Sequence, residues 1–139
     1  MSVMDLSLTK RGQYVVRAAI ALARSHDDGY LKTREIAATM NVPGQYAPQV
    51  LTLLRNAGLT ESRAGSLGGH RLSRPPGQIS LLDVVRAAEG EIDGAACMLS
   101  GGLCGHGDEC VLHQPWQNAQ TALLAALAST NLKSLAGLE

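Results

Sequence analysis

Residues 33–58 read TREIAATMNVPGQYAPQVLTLLRNAG. Ile36, Ala37 and Met40 fall at i, i+1, i+4, Thr33 offers a cap, and Glu35 places a carboxylate in the first turn. That pattern predicts a short helix over residues 33–40. Asn41-Val42-Pro43-Gly44 is a tight connection. A second helix is predicted from Tyr46 or Ala47 to Ala57, because Pro48 suits a first turn and Gly58 a helix end. Val50, Leu51, Leu53, Leu54 and Ala57 form its apolar side. Gln45, Gln49, Thr52 and Asn56 line the other side at i, i+4, i+7, i+11, flanked by Arg55. Two helices joined by a four-residue turn, the second with one buried and one hydrogen-bonding face, fit a helix-turn-helix.

The flanks extend this pattern. Upstream, residues 10–25 read as a helix capped by Thr9, with Val15, Val16, Ala19, Ile20, Leu22 and Ala23 on a broad apolar face. Downstream, residues 59–62 and 70–73 read as short strands around a glycine-rich hairpin tip, Arg63 to Gly69. Ile79 to Glu89 reads as a helix, with Ser80 and Asp83 as a capping-box-like start. A glycine-rich loop spans residues 90–112, and a last helix runs from His113 or Pro115 to Ala128, with Trp116, Ala119, Leu123, Ala126 and Leu127 at helical spacing. The expected fold is therefore mostly α: a winged helix-turn-helix with a small two-stranded wing and a long C-terminal helix. Three parts are expected: a DNA-binding domain at 1–89, a cysteine-bearing loop at 90–112, and a C-terminal helix and tail at 113–139.

Composition agrees. A chain of 139 residues has room for one domain, and 45% apolar residues argue against wholesale disorder. With one Trp, three Tyr and no Phe, the core must be built from Leu, Val, Ile and Ala, which suits helices. No apolar run approaches the roughly 20 residues that span a bilayer, and the first eleven residues lack a signal-peptide core, so no membrane contact and a cytoplasmic location are expected.

The formal charge of zero hides a split. Residues 1–80 carry ten Lys/Arg against five Asp/Glu, net +5, while residues 81–139 carry two against seven, net −5. A basic half suggests a polyanion partner, here double-stranded DNA. Gln45 and Gln49 suit bidentate pairing with adenine, with Thr52 on the same stripe. Lys10, Arg11, Lys32, Arg34 and Arg55 suit phosphates. Arg63 at the hairpin tip suits a minor groove, with Arg71 and Arg74 behind it. Taken singly, a solvated helix face and a surface turn would explain these residues. The charge split and element order together favour DNA.

The cysteines form the pattern Cys97-x6-Cys104-x5-Cys110-x2-His113. An odd count argues against a disulfide framework, and clustering argues for a shared ligand. Three thiolates and an imidazole fit an iron–sulfur cluster or a structural zinc ion, and the spacing does not separate the two. A metal-free thiol switch is the third reading, and His106 is a rival to His113. With no Cys-x-x-Cys motif and no signal of a substrate pocket, an enzyme is not expected.

Several stretches carry a family resemblance: residues 8–16 (LTKRGQYVV), 57–59 (AGL), 65–69 (GSLGG), 79–85 (ISLLDVV), 101–104 (GGLC), 110–113 (CVLH) and Trp116. The chain resembles the Rrf2-type winged-helix regulators, and within them the iron–sulfur cluster regulators. The resemblance implies a homodimer whose C-terminal helices cross as dimerisation helices, burying Trp116, Leu123, Leu124 and Leu127. It implies a 2Fe-2S cluster on Cys97, Cys104, Cys110 and His113 that tunes operator affinity and reports iron–sulfur, redox or nitric oxide status. A 4Fe-4S cluster is the alternative known among relatives. The chain departs from the pattern in three places. The first inter-cysteine gap is six rather than five, the usual wing arginine falls on Ala64 beside Arg63, and Gln13 stands where 4Fe-4S relatives place an aspartate.

Overall fold

Thr9 starts the fold. Its side-chain oxygen accepts the Gly12 N–H at 3.0 Å, which satisfies one of the free amides of α1 (Lys10–Arg24). In the computed structural model, which describes residues 7–90 and 111–138, α1 is the central helix. Val15, Ala18, Ala19 and Leu22 on its inner side are buried, and α2, α3, α4, α6 and strand β2 all pack on it.

The next helix, α2 (Thr33–Thr39), buries Ile36. Lys32, not Thr33, occupies its cap position. The expected cap is displaced by a tertiary partner, because the Thr33 hydroxyl lies 3.2 Å from His70 Nε2 of the wing. Helix α3 (Ala47–Asn56) turns Val50, Leu51 and Leu54 inward, while Ala57, expected on the apolar side, lies past its end and is exposed. Strands β1 (Thr60–Arg63) and β2 (Gly69–Leu72) pair antiparallel, Thr60 with Leu72 and Arg63 with Gly69, each one residue nearer the tip than expected. The second wing strand is also stitched to the segment before α2. Leu31 and His70 exchange two backbone hydrogen bonds, both 2.8 Å.

Helix α4 (Leu81–Glu89) opens with the expected capping box. The Ser80 Oγ accepts the Asp83 N–H and the Asp83 carboxylate accepts the Ser80 N–H, both at 3.0 Å. Leu82, Val84, Val85 and Ala88 are buried beneath it. At its far end the Glu89 carboxylate accepts the Thr9 N–H at 3.2 Å, over the start of α1. A carboxylate there suits the positive end of the helix dipole. Gly12 leaves room for it, since a Cβ at residue 12 would lie 2.2 Å from Glu89 Oε1.

Helix α5 (His113–Ser129) is the long C-terminal helix. A last turn of helix, α6 (Leu132–Leu135), is not legible in the sequence. It is held by a backbone exchange in which Leu81 N–H donates to Thr130 O (2.7 Å) and Leu132 N–H to Ile79 O (3.0 Å). Leu132 drops fully buried into the core of α1 and α4, a contribution of about 1.5–3 kcal/mol for a leucine. Among the described residues the architecture is six helices and one two-stranded antiparallel sheet, a winged helix-turn-helix as expected. No helix among them is long and apolar enough to cross a membrane.

Candidate nucleic-acid interface

The connection from α2 to α3 sets the angle of the recognition helix. Asn41 adopts φ +53, the left-handed turn that asparagine tolerates, and Val42 N–H then donates to Ala37 O at 2.9 Å. Tyr46 N–H and Ala47 N–H both bond to Pro43 O, at 2.9 and 3.2 Å, winding the chain into α3. With the apolar side of α3 anchored, its other side must face outward. Gln45, Gln49, Thr52, Arg55 and Asn56 are all exposed. Gln45 stands in the turn just before the helix. The Thr52 hydroxyl donates to Pro48 O at 2.9 Å, which commits its proton and leaves the oxygen as an acceptor. Gln45 and Gln49 keep both donor and acceptor capacity, the requirement for reading adenine in the major groove.

The cations converge on the two ends of this stripe. Lys10 and Arg11, exposed in the first turn of α1, share one recess with Gln49. Arg55, near the other end of α3, is close enough to the wing to bear on His70. Burial, and next the Arg55 charge, hold the His70 imidazole below its ordinary value. Its Nδ1 is buried without a partner, so a second ring proton would have no acceptor. His70 is therefore the neutral hinge between wing and helix-turn-helix. Lys32 reaches the wing too, its ammonium 3.5 Å from Gly68 O. Arg34 is exposed on α2.

In the wing, the two-residue period places Glu61 and Arg63 on one face, with Arg71 directly across from Glu61. Arg71 donates to Glu61 at 2.6 Å and lies 4.8 Å from the Tyr30 ring centre. That hydrogen bond pushes the Arg71 guanidinium further up, so it stays cationic but is tied down. Arg63 lies 5.8 Å over the same ring and is exposed at the hairpin end. The wing thus offers Arg63 as its forward cation and holds Arg71 as a brace. The tip needs glycine at residue 68, where a Cβ would lie 2.0 Å from Arg63 O. Tyr14, Tyr30, Tyr46 and Glu61 carry no functional signal in the sequence. The pairs Tyr14–Tyr46, Tyr30–Arg63, Tyr30–Arg71 and Glu61–Arg71 join residues at least ten positions apart, and no local period shows that.

Of the expected metal ligands, Cys97, Cys104 and Cys110 lie outside the described residues, as does His106. His113 opens α5 and is half-buried.

Residues 8–137 match the model of the Rrf2 family, described as iron-dependent transcriptional regulator. An HTH-type transcriptional regulator of Neisseria meningitidis serogroup A is 33% identical over 130 residues, covering 94% of this chain and 87% of its own. The structure of CymR, the global cysteine regulator of B. subtilis, superposes with TM-score 0.80 at 30% identity, covering 96% of this chain and 98% of that one. That of T. potens IscR superposes with TM-score 0.77 at 27% identity, covering 96% and 88%. These relatives are regulators of transcription, not enzymes. With the family model matched over residues 8–137, the chain is a member of the Rrf2 family of transcriptional regulators.

Proposed function

We propose that the protein is a homodimeric, sequence-specific DNA-binding regulator whose cysteine-bearing segment holds an iron–sulfur cluster. The observation that carries the DNA reading is the exposed Gln45–Gln49–Thr52–Asn56 stripe, with Lys10 and Arg11 near one end and Arg55 near the other. The bases are met by the amides and the phosphates by the cations, so affinity falls steeply with salt while specificity rests on the stripe.

The dimer reading rests on α5. Of its 17 residues only Gln120 is buried, although Trp116, Leu123, Leu124 and Leu127 lie along it. Leu123 is 51% exposed. Leu123 and Leu127 border an apolar groove of about 480 Å³ that also takes in Val16, Leu81 and Val85. A second copy of α5 covers such a stripe and fixes the two α3 helices about 34 Å apart, as successive half-sites require.

Three thiols and an imidazole within 17 residues are a donor set that fits a 2Fe-2S cluster. When bound, that cluster supplies a centre whose gain, loss or oxidation changes the local charge. His113, as first residue of α5, links the donor set to the helix proposed to set dimer geometry. The same three clustered thiols support a second reading, a metal-free thiol switch.

Anaerobic purification with visible spectroscopy, iron and acid-labile sulfide analysis separates the readings. Coloured protein with equal iron and sulfide, both lost in Cys104→Ala, supports the cluster. A 4Fe-4S centre would show in the stoichiometry. Colourless zinc-loaded protein, or metal-free protein whose thiols oxidise reversibly, rejects it.

A further inference from the structure

Between the starts of α1 and α3 lies a recess of about 450 Å³, walled by Tyr14, Tyr46 and Val50 and rimmed by Lys10, Arg11 and Gln49. Tyr46 is a large aromatic left 45% exposed. It is nevertheless held in place. Its ring stacks on Tyr14 with centroids 5.9 Å apart and planes 22° apart. Tyr14 in turn lies under Arg17, 5.8 Å from the ring centre, and Arg17 donates to Asn41 O at 3.4 Å. The stack thus runs from α3 through α1 to the turn that aims α3. Ordering a half-exposed aromatic this firmly prepares it for contact, since little side-chain freedom remains to be lost on binding.

The rim has a different chemistry. Lys10 and Arg11 are adjacent, exposed cations in the first turn of α1, and no carboxylate among the described residues forms an ion pair with either. Cations at the positive end of a helix are unfavourably placed until an anion arrives. The recess therefore asks for an anionic group next to a compact ring with apolar carbons. A sugar–phosphate unit of a nucleic acid strand has both. Gln49 stands on the same rim, one turn of α3 from Tyr46.

We propose that this recess seats one sugar–phosphate unit of the operator strand, with the deoxyribose against Tyr46 and the phosphate between Lys10 and Arg11. Tyr46 thereby sets the register in which Gln49 meets a base edge. The inference rests on the DNA-binding reading of α3 and adds a positioning residue and a backbone seat to it.

The test starts from an operator selected by the wild-type protein out of a randomised 30-base-pair duplex pool. Wild type, Tyr46→Ala, and Lys10→Gln with Arg11→Gln are titrated against that operator and against unselected duplex, across a salt series. Single methylphosphonates are then walked along the operator. Tyr46→Ala should weaken operator binding by about tenfold or more, in keeping with the removal of a large aromatic surface, and leave the salt slope unchanged. The double variant should lower that slope, by about one for each phosphate no longer neutralised. One methylphosphonate per half-site should weaken the wild type and have no further effect on the double variant. Wild-type affinity and selectivity in Tyr46→Ala, or the same methylphosphonate profile in wild type and double variant, would overturn the seat while leaving DNA binding intact. A wild-type protein that selects no sequence would overturn the DNA reading itself, before any variant is measured.

Discussion

Gly69 is where the wing meets the rest of the fold, and Gly69→Ala is its sharpest probe. The residue sits at φ +145, and a Cβ there would lie 2.6 Å from Leu31 O, 2.7 Å from Leu31 C and 3.1 Å from Lys32 N. All three are backbone atoms, so no side chain can swing aside. The wing must move, and the two 2.8 Å bonds between Leu31 and His70 stretch with it. Backbone strain contributes about 1–3 kcal/mol. Two weakened hydrogen bonds add about 0.5–1.5 kcal/mol each. The expected destabilisation is about 2–6 kcal/mol, or a melting temperature lower by roughly 8 °C or more for a chain of this length. Circular dichroism melts and urea titration measure it directly. Gly44→Ala is the matched control. No atom lies within 4 Å of its Cβ and its φ is not left-handed, so it should stay within about 0.5 kcal/mol of wild type. A Gly69→Ala protein that melts with the wild type, or a Gly44→Ala protein that falls equally far, would refute the reasoning.

Other expectations follow from the same contacts. His70 is held below its ordinary value of 6.5, so the unfolded imidazole binds a proton first. Stability is complete above about pH 6.5 and declines as pH falls from there toward the lowered folded value. Urea midpoints at pH 7.5 and 5 should show this decline, and His70→Gln should flatten it; an identical slope in both proteins would discount the hinge. Ser80→Ala removes the capping box of α4 and should destabilise by about 1 kcal/mol in the same titration, while an unchanged midpoint would mean the cap is dispensable. Gln49→Ala should cost operator binding about 1–3 kcal/mol and leave unselected duplex nearly untouched. Equal loss on both, in a retardation assay, would mark Gln49 as a residue that reads nothing.

Most of the frame is legible in the sequence because its signals are local. Thr9, the Ser80–Asp83 pair, Pro48 and Gly58 mark helix ends by chemistry that acts within four residues, and the structure places helix ends beside each of them. The apolar period of α1 and α3 identifies Val15, Leu22, Val50, Leu51 and Leu54 as core. What escapes depends on distance. Helix α6 is four residues long, too short to show a period, and is fixed by Ile79 and Leu81, some 50 positions earlier. Thr33 reads as a cap until His70 takes its hydroxyl. Arg71 reads as a wing cation behind Arg63, and its contacts with Glu61 and Tyr30, ten and 41 positions away, leave no local signal. The expected amide stripe is exposed as a whole, whereas the Tyr14–Tyr46 stack beside it joins residues 32 positions apart and leaves no trace in either local pattern.

The most direct test of the DNA-reading face is the ratio of dissociation constants for unselected and selected duplex, measured anaerobically at one fixed salt concentration. A ratio of about a thousand or more, as specific regulators show, is the expected result. Equal affinity for the two duplexes would contradict it, because the exposed side of α3 would then be an ordinary solvated surface.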